Sequence, residues 1–355
     1  MVIAFLIYYV VVIYLITHHF ADQRKVLIGT CFFLVVWIGM RSYGYRDTIV
    51  YVQAFNDAPP IWGIFSYNWN QFKVGYVEKG FYILASFFKS FSSEPRFYLF
   101  SIGAISMYLL FKSLDKYCIV PLVGICDYIS RFLLNRDFIQ IRSSLAILMI
   151  VLSIDLIQQR KTLKFFLVVL LAYQLHHMAL IAVPFYFLNM LKIKKSTIYI
   201  GLILAFIFSQ TGASSISGWV DNYSEDLNYS TYTQGQYVDQ ALGLKNPMIY
   251  LQLLILLLFT NKEKVLKNMT PYYYIFRNGY FYSTLILVLF CNYTALSGRT
   301  STMFATYECF ILPLLAKVFD KKMQFYYYFG LGIVLFYFFY SKYTQCQIDI
   351  ANFGG

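Results

Sequence analysis

The chain has 355 residues, 59% hydrophobic and 13% charged, with a formal net charge of +12. Soluble domains run at about 45–50% apolar and about 25% charged, so the charge here is too sparse to cover a water-facing surface. The composition argues against a cytosolic enzyme, a disulfide-stapled secreted domain and a nucleic-acid-binding module, and its positive excess reads as lysines facing the cytoplasm.

In chain order, apolar runs fall at roughly 2–17, 26–40, 97–111, 119–134, 143–157, 165–175, 178–191, 198–209, 248–260, 279–293, 303–319 and 324–340. At about 20 apolar residues per crossing, these predict an all-α polytopic integral membrane protein with about 12 transmembrane helices in a single domain, 1–355. The first run, apolar from Val2 with its first basic residues at Arg24 and Lys25, reads as a span rather than a cleaved signal. The longest polar stretches, 41–80 and 210–246, are rich in Gly, Asn, Ser, Asp and Tyr and read as loops. The six cysteines form no CxxC pair and read as small core hydrophobes.

The segment 78–91 decides the topology. As an interfacial helix between outer loops (41–96 as a whole, with 210–246 later), and with the amino terminus outside, it leaves 14 lysines inside and 5 outside. As a span it inverts everything downstream, so the positive-inside bias selects the interfacial reading. The same bias puts His176 and His177 at the outer tip of a helical hairpin.

The ten arginines run the other way: Arg41, Arg46, Arg96, Arg131, Arg136, Arg142 and Arg299 fall on or near the outer side. Guanidinium is a permanently charged planar fork suited to two-point contacts with phosphate or carboxylate oxygens. The cluster therefore predicts a site for a polyanionic head group, a lipid-linked diphosphate sugar being the activated substrate available outside. The alternative is structural pairing of single arginines with Glu78, Asp127 or Asp137. Asp221, Glu225 and Asp226 read as a solvated acidic run, so neither a metal nor any other cofactor is expected. Among the aromatics, Tyr43, Tyr51, Trp62, Trp69 and Tyr76 are the candidates for glycan contact.

Five stretches carry a resemblance. They are Met40-Arg41…Gly44-Tyr45-Arg46-Asp47-Thr48…Tyr51; Glu78-Lys79-Gly80-Phe81; Asn135-Arg136…Ile141-Arg142-Ser143-Ser144-Leu145-Ala146; His176-His177-Met178-Ala179-Leu180; and Arg299…Tyr307-Glu308…Leu312-Pro313. In this order they resemble the EpsG and Wzy-type O-antigen or exopolysaccharide polymerases. Arg46 and Ser143 depart from that pattern.

The resemblance implies a glycosyltransferase with a GT-C-like outward-facing cavity, in the bacterial inner membrane with its site facing the periplasm. It would transfer a growing glycan from undecaprenyl diphosphate to the next undecaprenyl-diphosphate-linked repeat unit, within the lipid bilayer and with a possible Wzz-type chain-length regulator as partner. Arg41, Arg46, Arg136, Arg142 and Arg299 would hold the diphosphates, and His176, Asp47 or Glu78 would accept the acceptor's proton. The alternatives are an O-antigen ligase or another outward-facing lipid-linked glycosyltransferase, a lipid-linked oligosaccharide flippase, and a membrane acyltransferase.

Overall fold

The computed structural model describes residues 1–18, 22–67, 78–211 and 242–353. Trp69, Tyr76, most of the 210–246 loop and its acidic residues Asp221, Glu225 and Asp226 lie outside the described residues. Regular structure among the described residues is entirely helical, in two compact units: Met1–Ala182 with Leu312–Gly355, and Val183–Ile311.

The first unit begins with α1 (Val2–His18), α2 (Gln23–Gly39), α3 (Thr48–Asp57), α4 (Lys79–Lys89) and α5 (Pro95–Tyr117). It continues through α6 (Pro121–Tyr128), a π-helical segment (Ile129–Ile139), α7 (Ile141–Leu152), α8 (Ile154–Gln158) and α9 (Thr162–Leu175), then a 3-10 turn over His177–Ile181. After the second unit the chain returns for the long α17 (Lys321–Phe353). Local chemistry sets several starts. Asp22 caps α2 by accepting from the Arg24 amide, and Pro95 and Pro121 occupy first-turn positions where their missing N–H costs nothing.

Close backbone approach organises the unit. A Cβ on Gly39 would overlap the Phe100 ring, and one on Gly103 would press on Ile38, so α2 and α5 cross nearly in contact. On α17, Gly332 receives the Tyr9 ring in the same way, and the Tyr9 hydroxyl donates to the Tyr328 carbonyl at 2.7 Å. One core cluster joins α3, α4, α5 and the start of α7 through Tyr51, Phe55, Phe81, Tyr82, Tyr98, Ile102, Ile141 and Leu145.

In the second unit, α14 (Tyr273–Leu289) packs against α11 (Lys195–Thr211), α12 (Pro247–Asn261) and α15 (Thr294–Ala305), and carries a polar clasp. The buried Arg277 donates to Glu263 at 3.1 Å and to the Ile193 carbonyl at 2.6 Å. Short helices α10 (Ala182–Leu188), α13 (Glu263–Leu266) and α16 (Glu308–Ala316) complete the order.

This architecture corrects the expected count of about twelve transmembrane helices. Among the described residues two helical stretches are long and apolar enough to cross a membrane, α5 (Pro95–Tyr117) with 23 residues and α7 joined to α8 (Ile141–Gln158) with 18. Other apolar helices, such as Val2–His18 and Thr162–Leu175, span 10–17 residues. Apolar runs that read as single crossings are interrupted: 119–134 passes from α6 into the π segment, and 303–319 breaks between Ala305 and Glu308. Internal packing also takes up apolar surface: 67% of the most apolar stretch of Ile141–Gln158 is buried.

The expectations built on the spans are corrected with them. These are the GT-C-like polytopic fold, the inner-membrane placement with a periplasmic site, and the bilayer, undecaprenyl-diphosphate-linked oligosaccharide and chain-length regulator as partners. The polymerase activity that requires that architecture, and the ligase and flippase alternatives that share it, fall for the same reason. The outer faces of α1, α9 and α11 keep large apolar side chains exposed, Ile3, Val10, Leu163, Leu170 and Leu204 among them.

Candidate functional site

Three of the expected residues meet where α4, α7 and the 3-10 turn begin. Glu78 precedes α4 in extended backbone and makes no side-chain cap bond there. Its carboxylate instead turns to its neighbours in space. Arg142 Nη1, on the first turn of α7, donates to Glu78 Oε2, and the His177 amide donates to Oε1 at 3.4 Å. His176 Nδ1 lies 3.9 Å from the same Oε1.

The Glu-x-Gly spacing explains this convergence. A Cβ on Gly80 would stand 2.5 Å from the Gln174 carbonyl oxygen and from Gln174 Cβ. The first turn of α4 therefore lies against the end of α9, just ahead of the two histidines. Side-chain exposure is 4% for Glu78 and 18% each for Arg142 and His176: the acid sits behind, the cation and the imidazole in front.

The tautomer of the His176 ring follows from its own bonds. Nδ1 accepts from the Met178 amide at 3.2 Å, capping the 3-10 turn. A ring nitrogen that accepts a hydrogen bond holds no proton, so the neutral imidazole carries its hydrogen on Nε2 and presents a donor. His177 stacks on Tyr173, with ring centroids 4.6 Å apart.

Tyr51 connects this group to α3. It is buried, shares a side-chain hydrogen bond with Arg142, and lies with its ring 5.7 Å from the guanidinium carbon. Burial raises its phenol above the ordinary range; the Arg142 charge opposes that shift and the Asp47 carboxylate adds to it. Asp47 thus lies within electrostatic reach of the hydroxyl that touches Arg142. It is exposed, stands at the N-cap of α3 with a left-handed backbone (φ 60°), and makes no side-chain cap bond. Asp tolerates that conformation better than most non-glycine residues, and such positions merit functional scrutiny.

The other arginines have separate engagements. Arg41, at 3% exposure, donates through Nη1 to the carbonyls of Ile38 (3.3 Å) and Asp137 (3.2 Å), and through Nε to Thr48 Oγ1 (3.3 Å). Burial lowers its pKa to about 10, partly offset by Tyr51 and Asp137, so it remains cationic at neutral pH. It latches the end of α2 to the π segment. Arg96 donates to the Gly39 and Arg41 carbonyls. Arg46 forms a two-point pair with Asp349. Arg136 is buried with its guanidinium 4.1 Å over the Phe132 ring. Arg299 belongs to the second unit, half-buried on α15.

Neighbouring Arg136, the Asp137 carboxyl is fully enclosed and accepts from Ser144 and Tyr128 hydroxyls, each at 2.7 Å. Burial raises its pKa, and those hydroxyl bonds oppose the rise. Sequence reasoning missed Asp349, the Met178 amide and the hydroxyls around Asp137. A backbone donor and an acid 303 residues from its arginine leave no local signal. Among the described residues, no group of three or more His, Cys, Asp and Glu side chains is placed to hold a metal ion.

Comparison with known proteins agrees with the motif order. Neither the curated proteins nor the solved structures contain a match to this chain. The EpsG family model matches residues 24–353, nearly the whole length. The chain therefore belongs to the EpsG family, a membership consistent with a biosynthetic, transferase-type role.

Proposed function

We propose that the chain is a glycosyltransferase that takes its sugar from a diphosphate-bearing donor. The observation that carries this reading is the meeting of the Arg142 guanidinium, bonded to Glu78, with the His176 ring, whose Nδ1 lies 3.9 Å from the same carboxylate. Arg142 and His176, both beside Glu78, are the cationic and imidazole groups this place offers to an oxyanion on which negative charge builds as a bond breaks.

In this reading the acceptor hydroxyl attacks the anomeric carbon while the bond from that carbon to the diphosphate oxygen breaks. The electron pair leaves with the diphosphate, where Arg142 and His176 receive the added charge. The hydroxyl proton passes to Asp47, the exposed carboxylate on the Tyr51 side of the site. A positioned base of this kind contributes about 10²–10⁴-fold. Glu78 is already bonded to Arg142 and to the His177 amide, so its role is positioning. Arg41 holds the α2 end and, through Thr48, the start of α3.

Binding of inorganic pyrophosphate to the purified full chain tests the anion site. Arg142→Ala is expected to weaken it about tenfold or more, the value of one charge-assisted contact, and Arg142→Lys to recover only part, since an ammonium lacks the fork. Asp47→Asn is expected to leave pyrophosphate binding unchanged while cutting diphosphate release from a synthetic methyl-capped glucosyl diphosphate about 10²-fold or more. Unchanged binding by Arg142→Ala overturns the anion site, and full turnover by Asp47→Asn overturns the base.

A further inference from the structure

Asp47 sits between two anchors. Downstream, Thr48 is tied to Arg41 and to the Phe138 carbonyl through its hydroxyl. Upstream, the anchor comes from the far end of the chain. Arg46 Nη2 lies 3.1 Å from Asp349 Oδ1 and Arg46 Nε 3.1 Å from Asp349 Oδ2, a parallel two-point pair. Asp349 lies near the end of α17 and keeps only 15% of its side chain exposed. Tyr45, the preceding residue, is buried against Phe138 with ring centroids 5.0 Å apart. Its hydroxyl bonds the Gln347 side chain and neighbours Cys346. One turn of α17, residues 346–349, therefore holds both residues before the left-handed Asp47.

An isolated exposed ion pair adds little. This one differs in its parallel geometry, its largely covered acid, and its companion contact at Tyr45. A residue at positive φ keeps that conformation only where its surroundings over-determine it. Here those surroundings are Thr48 on one side and the α17 turn on the other.

We infer that Asp349 is a positioning residue: by gripping Arg46 it holds Asp47 in the backbone conformation that aims its carboxylate at the site. The inference rests on the role given to Asp47 above. It also assigns Arg46 to the scaffold rather than to the substrate.

The test is Asp349→Asn in the full chain, read by turnover of the methyl-capped glucosyl diphosphate and by backbone amide exchange at Thr48 and Tyr51. Both amides close the turn around Asp47, donating to the Tyr45 and Asp47 carbonyls. Turnover is expected to fall about tenfold with KM unchanged, the scale at which small misplacements of a reacting group act. Exchange at the two amides should rise at least threefold. The exchanged pair Arg46→Asp with Asp349→Arg should recover most of both readouts, and Gln345→Ala, an exposed change on the same helix, should alter neither. Unchanged turnover, or lost turnover without faster exchange at Thr48 and Tyr51, overturns the inference. If Asp47→Asn keeps full turnover while Asp349→Asn slows it and loosens the two amides, the base assignment fails and the brace stands.

Discussion

The Nδ1 atom of His176 accepts a hydrogen bond from the Met178 amide, which makes Nε2 the nitrogen that carries the hydrogen of the neutral ring. A histidine acting as base normally has its Nδ1–H held by a carboxylate and its Nε2 lone pair free. Here the backbone occupies Nδ1, and Glu78 Oε1 is taken up by the His177 amide.

The first prediction separates donor from base. Glutamine offers an amide N–H near the position of the imidazole Nε2–H. His176→Gln should therefore keep most of the pyrophosphate affinity, while His176→Ala weakens it by about ten- to a hundredfold, as expected for a lost hydrogen bond to a charged group. Titration calorimetry on the two variants decides the matter. Equal losses would remove the donor role.

A second prediction concerns Gly80. Its Cβ has no room against the Gln174 backbone, so Gly80→Ala must push α4 away from the end of α9. The overpacking should cost about 1–3 kcal/mol of stability by chemical denaturation. Since Glu78 rides on the same turn, Arg142 loses its orientation, and pyrophosphate binding should weaken in parallel. Wild-type stability in that variant would show that the contact relaxes freely.

A third prediction follows from Asp137, whose buried carboxyl has a raised pKa. In the unfolded chain this group titrates near about 3.9. Between that value and its higher folded pKa, the native state holds a proton that the unfolded state has released. Stability from this group is therefore fully present below the unfolded pKa and declines as pH rises towards the folded one. Asp137→Asn should remove that slope, giving a flatter stability profile from about pH 4 upward. An unchanged slope would assign it to other groups.

The helical class and the meeting of Glu78, Arg142 and His176 were legible because short motifs carry them: a glycine two residues after the acid, an arginine at a helix start, a histidine before a turn. The number of crossings was not legible. Summed hydropathy records how apolar a run is, not where its backbone changes pitch, as at Tyr128, or breaks, as between Ala305 and Glu308. Arginine composition likewise said nothing of commitments. Arg41 is spent on carbonyls and a threonine hydroxyl, and Arg46 on an aspartate 303 residues further along the chain. Only folding brings such partners together.

The π winding of Ile129–Ile139, closed by the Gln140 amide on the Asn135 carbonyl at 3.0 Å, makes this stretch sensitive to chain length. Excising a single amino acid there would favour the tighter α pitch and change which neighbours each side chain of the stretch faces. Arg136 and Asp137 would then swing away from Phe132 and Ser144, and the Arg41 latch would lose its carbonyl. A shortened homologue would need to rebuild that corner from different side chains.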